Sequence, residues 1–128
     1  MFEKDYIMRL IREMVRMLLK MLFNLDTETP TSDLLESENE KHVLDGLLNL
    51  VDAGDIDQAE NRLYELLSDG GMDRLEMALL FYSYLNDKDE VFLKEHGFSR
   101  EEIRQGLSDV ISEYGLEGIA DVFMSDSQ

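Results

Sequence analysis

Residues 1–25, MFEKDYIMRLIREMVRMLLKMLFNL, form one uninterrupted helical pattern, and how that helix finds cover decides the fold. Ile7, Ile11, Met14, Leu18, Met21 and Leu25 follow one another at spacings of four and three, a heptad seam, and Leu10, Met17 and Leu22 widen it beyond what a two-stranded coil needs. Arg9, Arg12, Arg16 and Lys20 line the other side. The segment is also the one cationic part of an acidic chain. It holds five basic against three acidic residues, so the remaining 103 positions hold seven against twenty-six, within a net charge of −17 over 128 residues.

Helix punctuation continues outward from there. Thr27 to Ser32, with the single Pro30 inside it, breaks the first helix, and residues 26–36 are predicted as a linker. Ser37 with Glu40 starts a second helix that ends at Gly54. Asp55 with Gln58 starts a third from Ile56 to about Ser68. Gly70 and Gly71 stop it, and Asp73 with Glu76 opens a fourth that runs through Leu79, Tyr82 and Leu85. After a polar turn over residues 86–90 come a short helical turn, Val91 to His96, and a fifth main helix from Ser99 to Tyr114. A last short helix is predicted over Leu116 to Phe123, and residues 124–128 form a tail. Short connections make neighbouring helices antiparallel. The expected fold is therefore all-α: a single domain in which a body of helical hairpins, residues 37–123, follows the long amphipathic helix. Its core positions by period are Val43, Leu47, Leu50 and Val51; Ala59, Leu63, Leu66 and Leu67; Leu75, Leu79 and Tyr82; Phe92 and Phe98; and Ile103, Leu107, Val110, Ile111 and Tyr114.

Two resemblances attach to these residues. The stretch LLNLVDAGDIDQAENRLYELLSDG, residues 47–70, resembles the middle of a tetratricopeptide-type hairpin, with Gly54 at the turn, Ile56 after it, Ala59 at the small crossing position and Leu63 at the large apolar one. Val43 stands where that family has an aromatic residue and Gly71 where it has proline, and no second copy follows, so the likeness implies one hairpin and not an array. The whole chain, with its opening DYIMRLIREMVRMLLKMLF and its GFSREEI segment, is similar to a family of Firmicutes proteins grouped as a domain of unknown function. That likeness implies a bacterial helical protein and carries no activity to any residue.

Several function classes are disfavoured. The strong negative charge repels phosphate backbones, which argues against a nucleic-acid partner. A chain without cysteine has no thiol nucleophile, thiolate metal site or disulfide, and fits a cytoplasmic setting. Charges interrupt every candidate signal or spanning stretch near the start. Neither His42 nor His96 belongs to a catalytic or di-iron pattern. The acids around Asp52, Asp55, Asp57 and Glu60 do not match a calcium loop, and neither do Asp87, Asp89 and Glu90. No enzyme activity, metal or cofactor is expected; the alternative, an unrecognised ligand or enzymatic role, would need a concave pocket that holds His42 or His96 beside buried carboxylates.

Three readings of the first helix compete. In one, it packs on its own body and its arginines meet acids there, with each buried side chain stabilising by ~1.5–3 kcal/mol. In the second, which sets the functional expectation, the chain is an interaction or assembly module that pairs with a second copy through Ile7, Leu10, Ile11, Met14, Met17, Leu18, Met21, Leu22 and Leu25. Adaptable methionines, Met1 and Met8 among them, support that reading. In the third, the helix lies on a membrane surface, a possibility weakened by the repulsion between the acidic body and anionic headgroups. Met14→Glu separates the first two: it abolishes association with helix content intact if the seam faces another chain, and unfolds the domain if the seam faces its own.

Overall fold

The structure is a computed structural model that describes residues 2–119, with side chains from Tyr6 onward. It contains α1 (Phe2–Phe23), a 3-10 turn (Ser32–Leu34), α2 (Glu38–Asp52), α3 (Ile56–Leu67), α4 (Met72–Asn86), the short α5 (Glu90–Glu95) and α6 (Arg100–Glu113), and no strand among the described residues. All-α is thus the observed class. Residues 117–119 are helical where the description ends, so most of the expected last helix, and the whole tail, lie outside the described residues.

Local chemistry explains the boundaries. The hydroxyls of Ser37 and Ser99 accept from the backbone N–H of Glu40 and Glu102, as their spacing predicts, and Asp89 caps α5 in the same way through Phe92 N–H. Asp55 occupies the cap position of α3, but its side chain makes no capping bond. Its backbone instead helps to close α2: Asp55 N–H donates to Leu50 and Gly54 N–H to Val51, both at 2.9 Å, with Gly54 at φ 90°. Asn24, at φ 58°, closes α1 without a glycine. The fourth helix begins two residues earlier than its acidic capping signal suggests, at Met72 behind Gly71.

The centre of the molecule is α4. Leu75, Met77 to Tyr82, Leu85 and Asn86 are buried, which covers every face of the helix and not only the Leu75–Leu79–Tyr82 stripe. It packs against α1, α2, α3 and α6, while α1 also meets α6 and α2 meets α3. The expected linker is part of this body: Leu35 is 2% exposed and belongs to the core, and the 3-10 turn lies against α2.

Two polar clusters tie the helices together. Arg100, 7% exposed, donates to the Asn86 side-chain oxygen at 3.2 Å, to the Asn86 carbonyl at 3.0 Å, to the Lys88 carbonyl and to Glu90 at 3.1 Å. The Asn86 amide in turn donates to the Met8 carbonyl at 3.0 Å, so one buried guanidinium links α1, the end of α4, α5 and α6. On the other side, Lys88 Nζ lies 2.6 Å from Asp52 and over the rings of Tyr84 and Phe92, and the Tyr84 hydroxyl donates to Asp52 at 2.7 Å. Burial pushes the Asp52 carboxyl up, but Lys88 and Tyr84 outweigh it and hold the group below its ordinary value.

Candidate functional site

The N-terminal seam lies inside this chain. Leu10, Ile11, Met14 and Leu18, with Val15 and Leu19 beside them, are buried on the side of α1 that meets α4 and α6. Ile7, Met17, Leu22 and Leu25 are half-buried and packed against the same core, and Met21 alone among the nine stands well out, at 58% exposure. As folded, these residues do not present a joint surface to a second copy. Pairing through them would require α1 to leave α4 and α6. On the outer side, Arg12 lies 3.8 Å from Asp87, Arg16 3.6 Å from Glu13 and Lys20 3.9 Å from Asp26, exposed pairs that contribute little individually.

The open apolar surface is elsewhere. Of the positions with core periodicity, Val43 and Leu50 on α2 and Leu66 and Leu67 on α3 are only half-buried, while the neighbouring Leu44 and Ile56 fill the interior. Val43, Leu50 and Leu66 line an open groove of about 710 Å³ along the α2–α3 hairpin, together with Gly46. Gly46 sits in the middle of α2, and a Cβ added there would meet nothing within 4 Å. Around the groove stand His42 and Arg62 on one count and Glu65 and Asp69 on the other. No ion pair among the described residues uses Arg62, Glu65 or Asp69.

A third feature joins α3, α4 and α6. The Tyr82 hydroxyl, fully buried on α4, donates to Glu60 Oε2 at 2.6 Å and lies 3.5 Å from the Tyr64 hydroxyl. Gly106 on α6 makes the space: a Cβ there would stand 2.5 Å from the Tyr82 oxygen and 2.8 Å from Glu60. Burial is the main cause that lifts the Glu60 carboxyl above its usual range. The Tyr82 bond opposes it, and the charges of Asp57, Glu102 and Asp109 add to it. Burial also raises the Tyr82 hydroxyl, which stays protonated and serves as donor. Sequence periodicity marks Tyr82 as apolar core and misses this pair, because a glutamate on α3 and a glycine on α6 carry no pattern that joins them.

The two histidines are exposed and apart from that cluster. His42 lines the α2–α3 groove, while His96 lies against Phe92, with ring centroids 4.5 Å apart and planes tilted by 55°, and covers Gly54, where an added Cβ would lie 2.4 Å from its ring. Among the described residues no three His, Asp or Glu side chains are grouped to hold a metal ion, and no helix is long and apolar enough to cross a membrane.

No curated protein and no solved structure matches the chain. A family model does: it spans residues 1–115, from the first helix through the end of α6, and by that match the chain belongs to the family of unknown function DUF6483.

Proposed function

We propose that this protein is a cytoplasmic protein–protein interaction module that assembles with a second copy of itself through the outward face of the α2–α3 hairpin. One observation carries the reading: a mid-helix glycine, Gly46, faces open space in an apolar groove whose flanks, Val43, Leu50 and Leu66, have the periodicity of core residues. Glycine inside a helix costs about 0.5–1 kcal/mol relative to alanine. Nothing among the described residues offsets that cost at Gly46, whereas a helix from outside could approach the backbone closely there.

Charge favours a copy of the same chain as the occupant. A two-fold contact brings Arg62 of each protomer towards Glu65 or Asp69 of the other, a self-complementary arrangement on a body whose residues 26–128 hold seven basic against twenty-six acidic side chains. The likeness of this hairpin to tetratricopeptide units points the same way, since such units cover their outer stripe by stacking on the next hairpin.

Light scattering on the full-length chain tests the proposal. The expected mass is twice 14.9 kDa. Leu50→Glu should return it to one chain with the far-UV circular dichroism unchanged. A full-length chain that stays monomeric at high concentration, or a Leu50→Glu variant that still dimerises, overturns the assignment.

A further inference from the structure

A second groove, of about 430 Å³, opens at the end of the bundle where the tail of α1, the 3-10 turn and the first turns of α2 and α4 converge. Its apolar lining comes from Leu22, Phe23 and Leu25 after the buried part of the seam, from Leu34, and from Met72, which is 46% exposed at the rim. Its charged lining is of one sign: Glu36 and Glu40 from the α2 side, and Asp73 and Glu76 from α4. Among the described residues no ion pair reaches any of these four acids. Burial first, then Asp73, Glu40 and Glu36, hold the Glu76 carboxyl above its ordinary value. The acids therefore repel one another, without an ion pair among the described residues to neutralise them, around a surface that water covers poorly.

We propose that this groove docks a cationic amphipathic segment of another protein, with one or two large apolar side chains seated against Leu34 and Met72 and flanking lysines or arginines between the four acids. Charge complementarity selects the occupant. A purely apolar segment would leave the acids uncompensated, and a purely cationic one would leave the leucines and the methionine wet. A second copy of this chain fits less well, because its cationic amphipathic helix, α1, has its apolar face buried against its own α4 and α6. The site is distinct from the α2–α3 groove, and its test does not depend on self-association.

The test is fluorescence anisotropy of a labelled peptide of alternating leucine pairs and lysine pairs, titrated with the full-length chain. Saturable one-to-one binding is expected. It should weaken about tenfold in the triple variant Glu40→Gln, Asp73→Asn, Glu76→Gln, through the loss of several rim charges together. It should persist in the triple variant Glu95→Gln, Glu101→Gln, Glu102→Gln, which removes the same net charge at the other end of α4, where Arg100 meets Asn86. Met72→Gln, at an exposed position, should weaken binding with every acid in place. Equal weakening by the two triple variants, or oligolysine binding as tightly as the amphipathic peptide, would show bulk attraction only and overturn the proposal. So would a change in the chain's solution mass caused by the groove variant, which would make a second copy the occupant. Melting curves of each variant report folding separately, and dimerisation read through Leu50→Glu stands or falls on its own.

Discussion

The face of α1 and the face of the α2–α3 hairpin carry the same kind of signal, an apolar stripe at helical spacing, yet they meet opposite fates. The α1 stripe is sealed against α4 and α6, and the Arg100–Asn86–Met8 chain of hydrogen bonds fastens it. The hairpin divides its stripe: Leu44, Leu47, Val51, Ala59 and Leu63 go inward, while Val43, Leu50 and Leu66 stay at an open groove. Amphipathicity thus states that a helix needs cover and leaves the source of that cover open. Here α4 supplies it, because that helix is apolar on all sides and can receive a neighbour on each.

Charges placed on the two stripes separate them most strongly. Met14→Glu would put a carboxylate at a fully buried position and should cost more than about 4 kcal/mol, unfolding the domain, whereas Val43→Glu should cost under about 1 kcal/mol. Urea unfolding followed by circular dichroism measures both. A folded Met14→Glu variant that had merely lost association would return the seam to an interface between chains. The next largest effect concerns the fastening: Arg100→Ala leaves the Asn86 and Lys88 carbonyls without this donor and should cost about 3 kcal/mol. Arg100→Lys should recover only part, since an ammonium cannot reproduce the branched set of bonds to Asn86, Lys88 and Glu90. Hydrogen exchange should then show α1 loosening before the α2–α3 hairpin does.

What could be read from the residues follows from how local each signal is. Ser37 with Glu40, Ser99 with Glu102, and Gly54 announce their helix ends because donor, acceptor and turn lie within a few positions of one another. The role of Asn86 and Arg100 was hidden: they look like a turn residue and a first-turn cation, and only the fold brings the Met8 carbonyl, 78 positions away, to the Asn86 amide. Residues 26–36 read as a polar linker because one buried side chain, Leu35, does not make a period. The proposed interaction surface was legible in part. Val43, Leu50 and Leu66 are marked as apolar face, but their half-burial depends on which side of the hairpin α4 occupies.

A smaller effect distinguishes the two sides through pH. Glu60, beneath α6, is held above its ordinary value of 4.5, so the folded state binds its proton more tightly than the unfolded one. The stability tied to that proton is lost as pH rises above about 4.5. Asp52, in the clamp that joins the end of α2 to α4, behaves in the opposite sense. Its folded value lies below 3.8, so its contribution is present above that pH and lost as pH falls through it. Thermal stability should therefore rise on acidification from neutrality towards pH 4.5, with Glu76 adding in the same sense, and fall again below 3.8. Glu60→Gln should reduce the first limb to the part that Glu76 carries and leave the second, whereas Asp52→Asn should reduce the second and leave the first. Unchanged limbs in both variants would mean that the overall negative charge, and not these two sites, sets the profile.

The smallest expected effect makes the sharpest distinction. Gly46→Ala adds one methyl group where nothing among the described residues lies inside 4 Å, so the isolated protomer should gain about 0.5–1 kcal/mol from helix propensity alone. If the α2–α3 groove receives a second copy closely enough to need a glycine, the same methyl must weaken dimerisation. Stability measured at low protein concentration would then rise while the association constant falls, two changes of opposite sign from one side chain. An internal role for Gly46 predicts destabilisation in both measurements, and an unused surface predicts a gain in stability with no change in mass. Only a position that faces a neighbouring molecule, and not the body of its own, can move the two quantities apart.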